Sequence, residues 1–162
     1  MDIKQAQQLL DNFSSNDVPM INYCHASIVG ISPKHCEVKI PLADATKNHL
    51  NCMYFGALSV GADVAGGLLA MMMIKQTKQP IDLLFKDFNA DFKLRANGDT
   101  HFTCNDGMLI QDMITQAITT KKRINQEITV TATSPSISNT PVAIFKLTLS
   151  IKLTTTTQKN EH

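Results

Sequence analysis

Between Asn48 and Ile74 the only formally charged side chain is Asp63. The run is too long for a strand and is rich in Ala, Gly, Leu and Met. It predicts a buried helix from about Tyr54 to Lys75. Part of it, Cys52 to Ile74, is also long enough to cross a bilayer. Asp63 falls near the middle of that stretch, however, among glycines at 56, 61, 66 and 67, and a carboxylate at a bilayer centre costs about 2.5 kcal/mol or more. The expectation is a core helix, not a membrane span. Glycine weakens a helix by about 1 kcal/mol per site relative to Ala. Four glycines therefore imply close backbone approach to a sheet or to another subunit.

The flanking sequence supplies elements to cover such a helix. Ile3, Ala6, Leu9, Leu10 and Phe13 have helical spacing, and Ser14-Ser15-Asn16-Asp17 would end that helix. Two strands are expected over Ala26–Ile31 and Cys36–Leu42, joined by Ser32-Pro33-Lys34-His35. After the central helix, Phe88, Ala90, Phe92, Leu94 and Ala96 alternate with polar residues from Asp87 to Arg95, the period of a strand. Asn97-Gly98 then predicts a tight hairpin into a strand over Thr100–Cys104. Asp106 to Lys122 reads as a helix with one apolar stripe, Leu109, Met113 and Ala117 beside Ile110, Ile114 and Ile118. Two further strands end the pattern, one with Ile124, Ile128, Val130 and Ala132 on one face, the other with Ala143 through Leu153. Together these give an α+β fold, an antiparallel sheet wrapped around a long central helix. With 162 residues the chain is expected to form one domain over 1–162, with 154–162 as a flexible tail.

Asp63 lies about two turns into the central helix, and no basic residue is within reach along that helix. A buried carboxylate is costly unless partnered. Ser59, one turn earlier, is the only local hydroxyl on the same face. Asp63 is thus either hydrogen-bonded to Ser59 or a neighbouring backbone, or it is a general base or nucleophile with a raised pKa. The helix start near Phe55 and Gly56 offers free N–H groups and the positive end of the helix dipole, which can hold an oxyanion.

The order of elements resembles the hotdog fold of the 4-hydroxybenzoyl-CoA thioesterase superfamily. The segment from Asn48 to Asp63 is similar to its phenylacetyl-CoA thioesterase branch. There an Asn is followed after five residues by His-Gly-Gly opening the central helix, and six residues later by a catalytic Asp. Here Asn48 and Asp63 match at the same separation, Gly56 matches the second Gly, and Ala62 matches the small residue before the Asp. Tyr54 replaces the His and Phe55 the first Gly, a Tyr-Phe-Gly-Ala variant. The resemblance implies a thioesterase acting on an acyl-CoA. Asp63 would activate water or attack the carbonyl, Asn48 would orient water or substrate, and the Phe55 N–H with Gly56 would stabilise the oxyanion. Tyr54, His49 and Ser59, near this site, are candidate substrate-binding residues, and His49 reads first as a loop histidine in solvent. The resemblance also implies a site between subunits of a homodimer or homotetramer, no metal, and no cofactor beyond the coenzyme A of the substrate. Because Tyr54 cannot replace His as a base near neutral pH, a hotdog protein that binds an acyl or aromatic ligand without cleaving it is the alternative. A dehydratase fits less well, since its His has no counterpart.

The rest of the composition narrows the field. Hydrophobic residues at 43% and charged residues at 18% permit a packed core. A net charge of +1 gives no electrostatic footprint for nucleic acid. Cys24, Cys36, Cys52 and Cys104 form neither a CxxC pair nor a zinc spacing, and the N-terminus lacks a signal-peptide pattern. A cytoplasmic protein with reduced thiols is expected. Lys121-Lys122-Arg123 reads as a solvated helix end rather than a phosphate site, and Met71-Met72-Met73 as core or the wall of an acyl tunnel.

Overall fold

The computed structural model describes residues 2–154. Ten elements follow one another: α1 (Ile3–Asn16), α2 (Pro19–Tyr23), β1 (Ser27–Ser32), β2 (His35–Ile40), α3 (Phe55–Thr77), β3 (Ile81–Phe92), β4 (Thr100–Cys104), α4 (Gly107–Thr120), β5 (Ile124–Ser134) and β6 (Ser138–Leu153). The strands form one sheet in the order β1-β2-β4-β5-β6-β3, with every neighbouring pair antiparallel. Helix α3 lies along the inner face of this sheet. The arrangement is the hotdog fold.

The central helix is seated by small residues. Ala62, Ala65 and Leu69 are fully buried, and all lie on the side turned to the sheet. A Cβ added at Gly61 would collide with the ring of Phe102, itself completely buried. One at Gly66 would meet Ile128 of β5. Two of the four glycines are therefore explained by close approach to the sheet. Among the described residues α3 is the one helix long and apolar enough to cross a membrane, and 72% of its most apolar window is buried inside the fold. Opposite it, the inner residues of β6, Ala143, Phe145, Leu147, Leu149 and Ile151, have no exposed surface, as their alternation requires.

Several expectations need correction. Helix α1 continues through Ser14 to Asn16, with Asp17 as its C-cap. Ser14 is buried and donates to the Asp11 carbonyl at 3.2 Å, so its hydroxyl is satisfied inside the helix instead of ending it. The short helix α2 was not legible in its five residues. The largest difference concerns Asn97-Gly98, which does not close a hairpin. Strand β3 begins earlier than expected, at Ile81, ends at Phe92, and pairs only with β6, while β4 is inserted between β2 and β5. No glycine among the described residues has a positive φ, so the mirror-image turn that Asn-Gly favours is absent. A long ladder, from Ile81 opposite Leu153 to Phe92 opposite Ala143, outweighs a two-residue turn preference. The flexible-tail assignment falls almost wholly outside the described residues; within them, Thr154 is tied back to the Pro80 carbonyl by its N–H at 2.8 Å.

A bulge between Phe85 and Asp87 changes the alternation of β3. It places both Phe85 and Phe88 on the inner face, since they pair with the inner residues Leu149 and Leu147. Phe88 and Phe92 nonetheless remain 43% and 46% exposed. They stand at the free edge of the sheet, against Phe145 at ring separations of 5.6 and 6.0 Å.

Candidate active site

Helix α3 carries Asp63 on the side that looks past the central strands towards the edge strand β3 and helix α1. Along that side Asp63, Gly67, Met71 and Ile74 follow at intervals of three and four residues, one stripe of a helix. The Asp63 carboxylate is partly buried and makes no hydrogen bond or ion pair among the described residues. Ser59 does not serve it: the Ser59 hydroxyl donates to the Phe55 carbonyl at 2.9 Å. Burial without a partner pushes the Asp63 pKa up to about 6, the direction expected when desolvation penalises the charged form.

Two spaces meet at this carboxylate. One is a groove lined by Ser59, Val60, Asp63 and Phe88, of about 290 Å³. The other is a cavity of about 490 Å³ running beneath α1, walled by Leu9, Phe13, Gly67, Met71, Leu83 and Phe85. Asp63 belongs to the wall of both.

The helix start is the second part of the site. Tyr54 is the N-cap and gives no side-chain cap. Its own N–H donates to the Thr46 carbonyl at 2.8 Å, and the first helical bond runs from the Leu58 N–H to the Tyr54 carbonyl at 3.0 Å. The N–H groups of Phe55, Gly56 and Ala57 precede that first bond, as in any uncapped helix. Tyr54 and Phe55 are 47% and 58% exposed, with ring centroids 4.7 Å apart. The Tyr54 ring lies over Gly56, where a Cβ would meet it at 2.5 Å. Phe55 in turn approaches Phe92 edge-on at 6.4 Å.

Asn48 organises the loop before the helix. Its Oδ1 accepts the Leu50 N–H at 2.8 Å and the Cys52 N–H at 3.4 Å, and its backbone N–H donates to the Cys52 carbonyl at 2.8 Å. Its Nδ2 donates to the Cys52 sulfur at 3.2 Å. The adjacent Met53 N–H donates to the Ala96 carbonyl at 2.9 Å, which fixes where α3 begins. His49 stands exposed in the same loop.

Asp63 and Ser59 thus share one groove, and Tyr54, Phe55 and Gly56 cluster at the helix start. Within one chain the two groups are separate, because eight helical residues place Asp63 about 12 Å along the axis from Phe55. The aromatic residues Phe88 and Phe92 border these places. Their alternation marked them as inner-face residues, but nothing in it indicated that the helix leaves them uncovered. Lys121, Lys122 and Arg123 are exposed, and Lys121 takes a left-handed conformation as the C-cap of α4. Arg123 donates to the Ser150 hydroxyl at 2.9 Å. The four cysteines are free and buried, and the described residues contain no cluster of three or more His, Cys, Asp or Glu able to hold a metal ion.

No curated protein matches the chain. Solved structures do. A protein of unknown function from Chlorobaculum tepidum superposes with a TM-score of 0.79 at 13% identity, covering 94% of this chain and 97% of its own. A Pseudomonas aeruginosa protein described as a probable thioesterase gives 0.76 at 17% identity, with 95% and 97% covered. A thioesterase from Haemophilus influenzae gives 0.71 at 14% identity, with 98% and 96% covered. At such identities these likenesses establish the shared fold. A family model matches residues 6–151, nearly the whole described chain, and so the protein belongs to the family defined as a domain of unknown function, DUF4442.

Proposed function

We propose that the protein is a thioesterase that hydrolyses an acyl-CoA, with Asp63 as the residue that activates the attack. The observation that carries this reading is an unpartnered carboxylate in the wall of an apolar cavity, its pKa pushed up to about 6. An acid at that pKa is largely ionised at neutral pH and still basic enough to take a proton from water. In the hydrolytic step Asp63 removes a proton from water as the water oxygen bonds to the thioester carbonyl carbon. The carbonyl oxygen becomes an oxyanion, held by the N–H groups of Phe55 and Gly56. The carbon–sulfur bond then breaks, and the thiolate takes the proton from Asp63. Direct attack by the carboxylate, giving an anhydride that water opens, uses the same residues. Asn48 acts as a positioning residue through the turn that sets the helix start, and Ser59, Tyr54 and His49 border the approach.

One carbonyl cannot reach both groups in a single chain, since about 12 Å of helix separates them. A second copy related by a two-fold axis removes this difficulty, for it sets the helix start of one chain beside Asp63 of the other. The edge strand β3 supports such an assembly. It is twelve residues long and paired on one side only, with Phe88 and Phe92 exposed beside the groove. A long strand with one free edge is a template for another strand. The reading is of a homodimer or a homotetramer, in the cytoplasm, where the four unpaired cysteines are at home.

The neighbours described as thioesterases agree with this reading. The Tyr54 ring over Gly56 favours a second one, in which the covered helix start leaves a protein that binds an acyl ligand without cleaving it. A panel of acyl-CoA thioesters with detection of free thiol separates the two. Release by the wild type, lost in Asp63→Asn, is expected. Release that persists unchanged in a folded Asp63→Asn protein would contradict the role of Asp63. Ligand binding without release from any thioester would establish the second reading.

A further inference from the structure

The cavity beneath α1 carries more information than the reaction alone requires. Its wall follows α3 from Asp63 to Lys75, twelve residues that rise about 18 Å. Dividing 490 Å³ by that length leaves a mean cross-section of about 27 Å², near that of one hydrocarbon chain. The walls are Leu, Ile, Val, Phe and Met side chains, and the ionisable groups are only Asp63 at one end and Lys75 at the exposed other. The roof comes from the chain's own N-terminus. Helix α1 is fixed by Ala6, completely buried, and by Gln7, whose Oε1 accepts the Ile28 N–H at 2.8 Å. Leu9 and Phe13, by contrast, are only partly buried and face the cavity. Anchoring and lining therefore fall to different residues of the same helix.

Resting on the thioesterase reading, we propose that this cavity takes the tail of a straight, saturated acyl chain of about eight to twelve carbons, and that Leu9 and Phe13 of α1 set its length. The size follows from volume. A methylene takes up close to the room of one liquid water, about 30 Å³. Complete filling of 490 Å³ would thus need about sixteen such groups, and an irregular cavity holds fewer, about eight to twelve. With the tail inside, the thioester lies at the Asp63 end, between cavity and groove.

Two measurements test the proposal separately from the reaction. Binding of S-alkyl-CoA thioethers, which cannot be hydrolysed, is measured by calorimetry for chains of two to eighteen carbons. Affinity should rise about threefold to fourfold per added carbon until the cavity is full, then level off or fall. Leu9→Trp should shorten the preferred chain by two or more carbons, and Phe13→Ala should lengthen it. Circular dichroism and thermal melting verify that each variant is folded; should Leu9→Trp fail to fold, Phe13→Ala alone decides. Affinity independent of chain length, or a preferred length unmoved by a folded variant, would overturn the proposal. Hydrolysis of the matching thioesters is the second measurement. Length-selective binding without hydrolysis would refute the thioesterase reading while leaving the cavity's role intact; hydrolysis without length selectivity would do the reverse.

Discussion

The two sides of α3 are built from the same apolar vocabulary and do opposite work. On the side facing the central strands, Gly61, Ala62, Ala65 and Leu69 are buried, with Gly61 closed against Phe102. On the other side, Asp63, Gly67 and Met71 border open volume. A Cβ at Gly61 would strike a buried ring, whereas one at Gly67 would rest 3.5 Å from Phe85 and 3.7 Å from the Asp63 carboxylate, ordinary contacts. The difference teaches that hydrophobicity alone marks a helix as internal. Side-chain size decides which of its faces is packed, and the one acid lies on the face that borders open volume.

The comparison can be broken most sharply at Asp63. Asp63→Asn should lower thioester hydrolysis about a thousandfold, within the range for loss of a general base, while the fold persists; steady-state kinetics with free-thiol detection checks this. On the open edge, Phe88→Glu should convert the proposed dimer to monomers, seen by sedimentation, with activity lost in proportion if the proposed site draws on two chains. Assembly and activity that both survive Phe88→Glu would remove the shared-site argument. On the packed side, Gly61→Ala should destabilise by about 2 kcal/mol through overpacking against Phe102. Gly67→Ala should be neutral or stabilise by about 0.5 kcal/mol, since Ala favours the helix where space allows. Equal effects of the two substitutions in chemical denaturation would erase the contrast. The pH dependence is the gentlest test. With a base of pKa about 6, kcat/KM should be flat at neutral pH and fall tenfold per pH unit well below 6.

Much of this contrast was legible in the residues. The charge-free run around Asp63 marked the buried helix, and the alternation from Ala143 to Leu153 marked the strand that faces it. Asp63 stood out because no basic residue along its own helix could pair with it. The pairing of β3 could not be read: Asn97-Gly98 pointed to a local hairpin, and only the ladder with β6 reveals the stronger competitor. Nor could the bulge after Phe85, which moves the inner face of β3 by one residue. The sequence placed Ser59 one turn from Asp63, but not the fact that its hydroxyl turns back to the Phe55 carbonyl. Helix α1 was evident from its spacing, whereas its place as the roof of a cavity depends on contacts distant in the chain. Tertiary competition of this kind leaves no local signal.

The claim beneath the whole account is that Asp63 is held in a poorly solvated place with no partner. Such a group binds its proton more tightly in the folded chain than in the unfolded one. Its charge therefore destabilises the fold above about pH 6, and the penalty fades as pH falls towards 4, where the acid is neutral in both states. The direct measurement compares the unfolding free energies of the wild type and Asp63→Asn from pH 4 to pH 7.5. The account predicts that Asn is the more stable at neutral pH, by up to about 2 to 3 kcal/mol, and that the two converge at the acid end. An Asn variant that is less stable at neutral pH, with a gap that shrinks on acidification, would mean that the carboxylate is held by a favourable partner, contradicting the account.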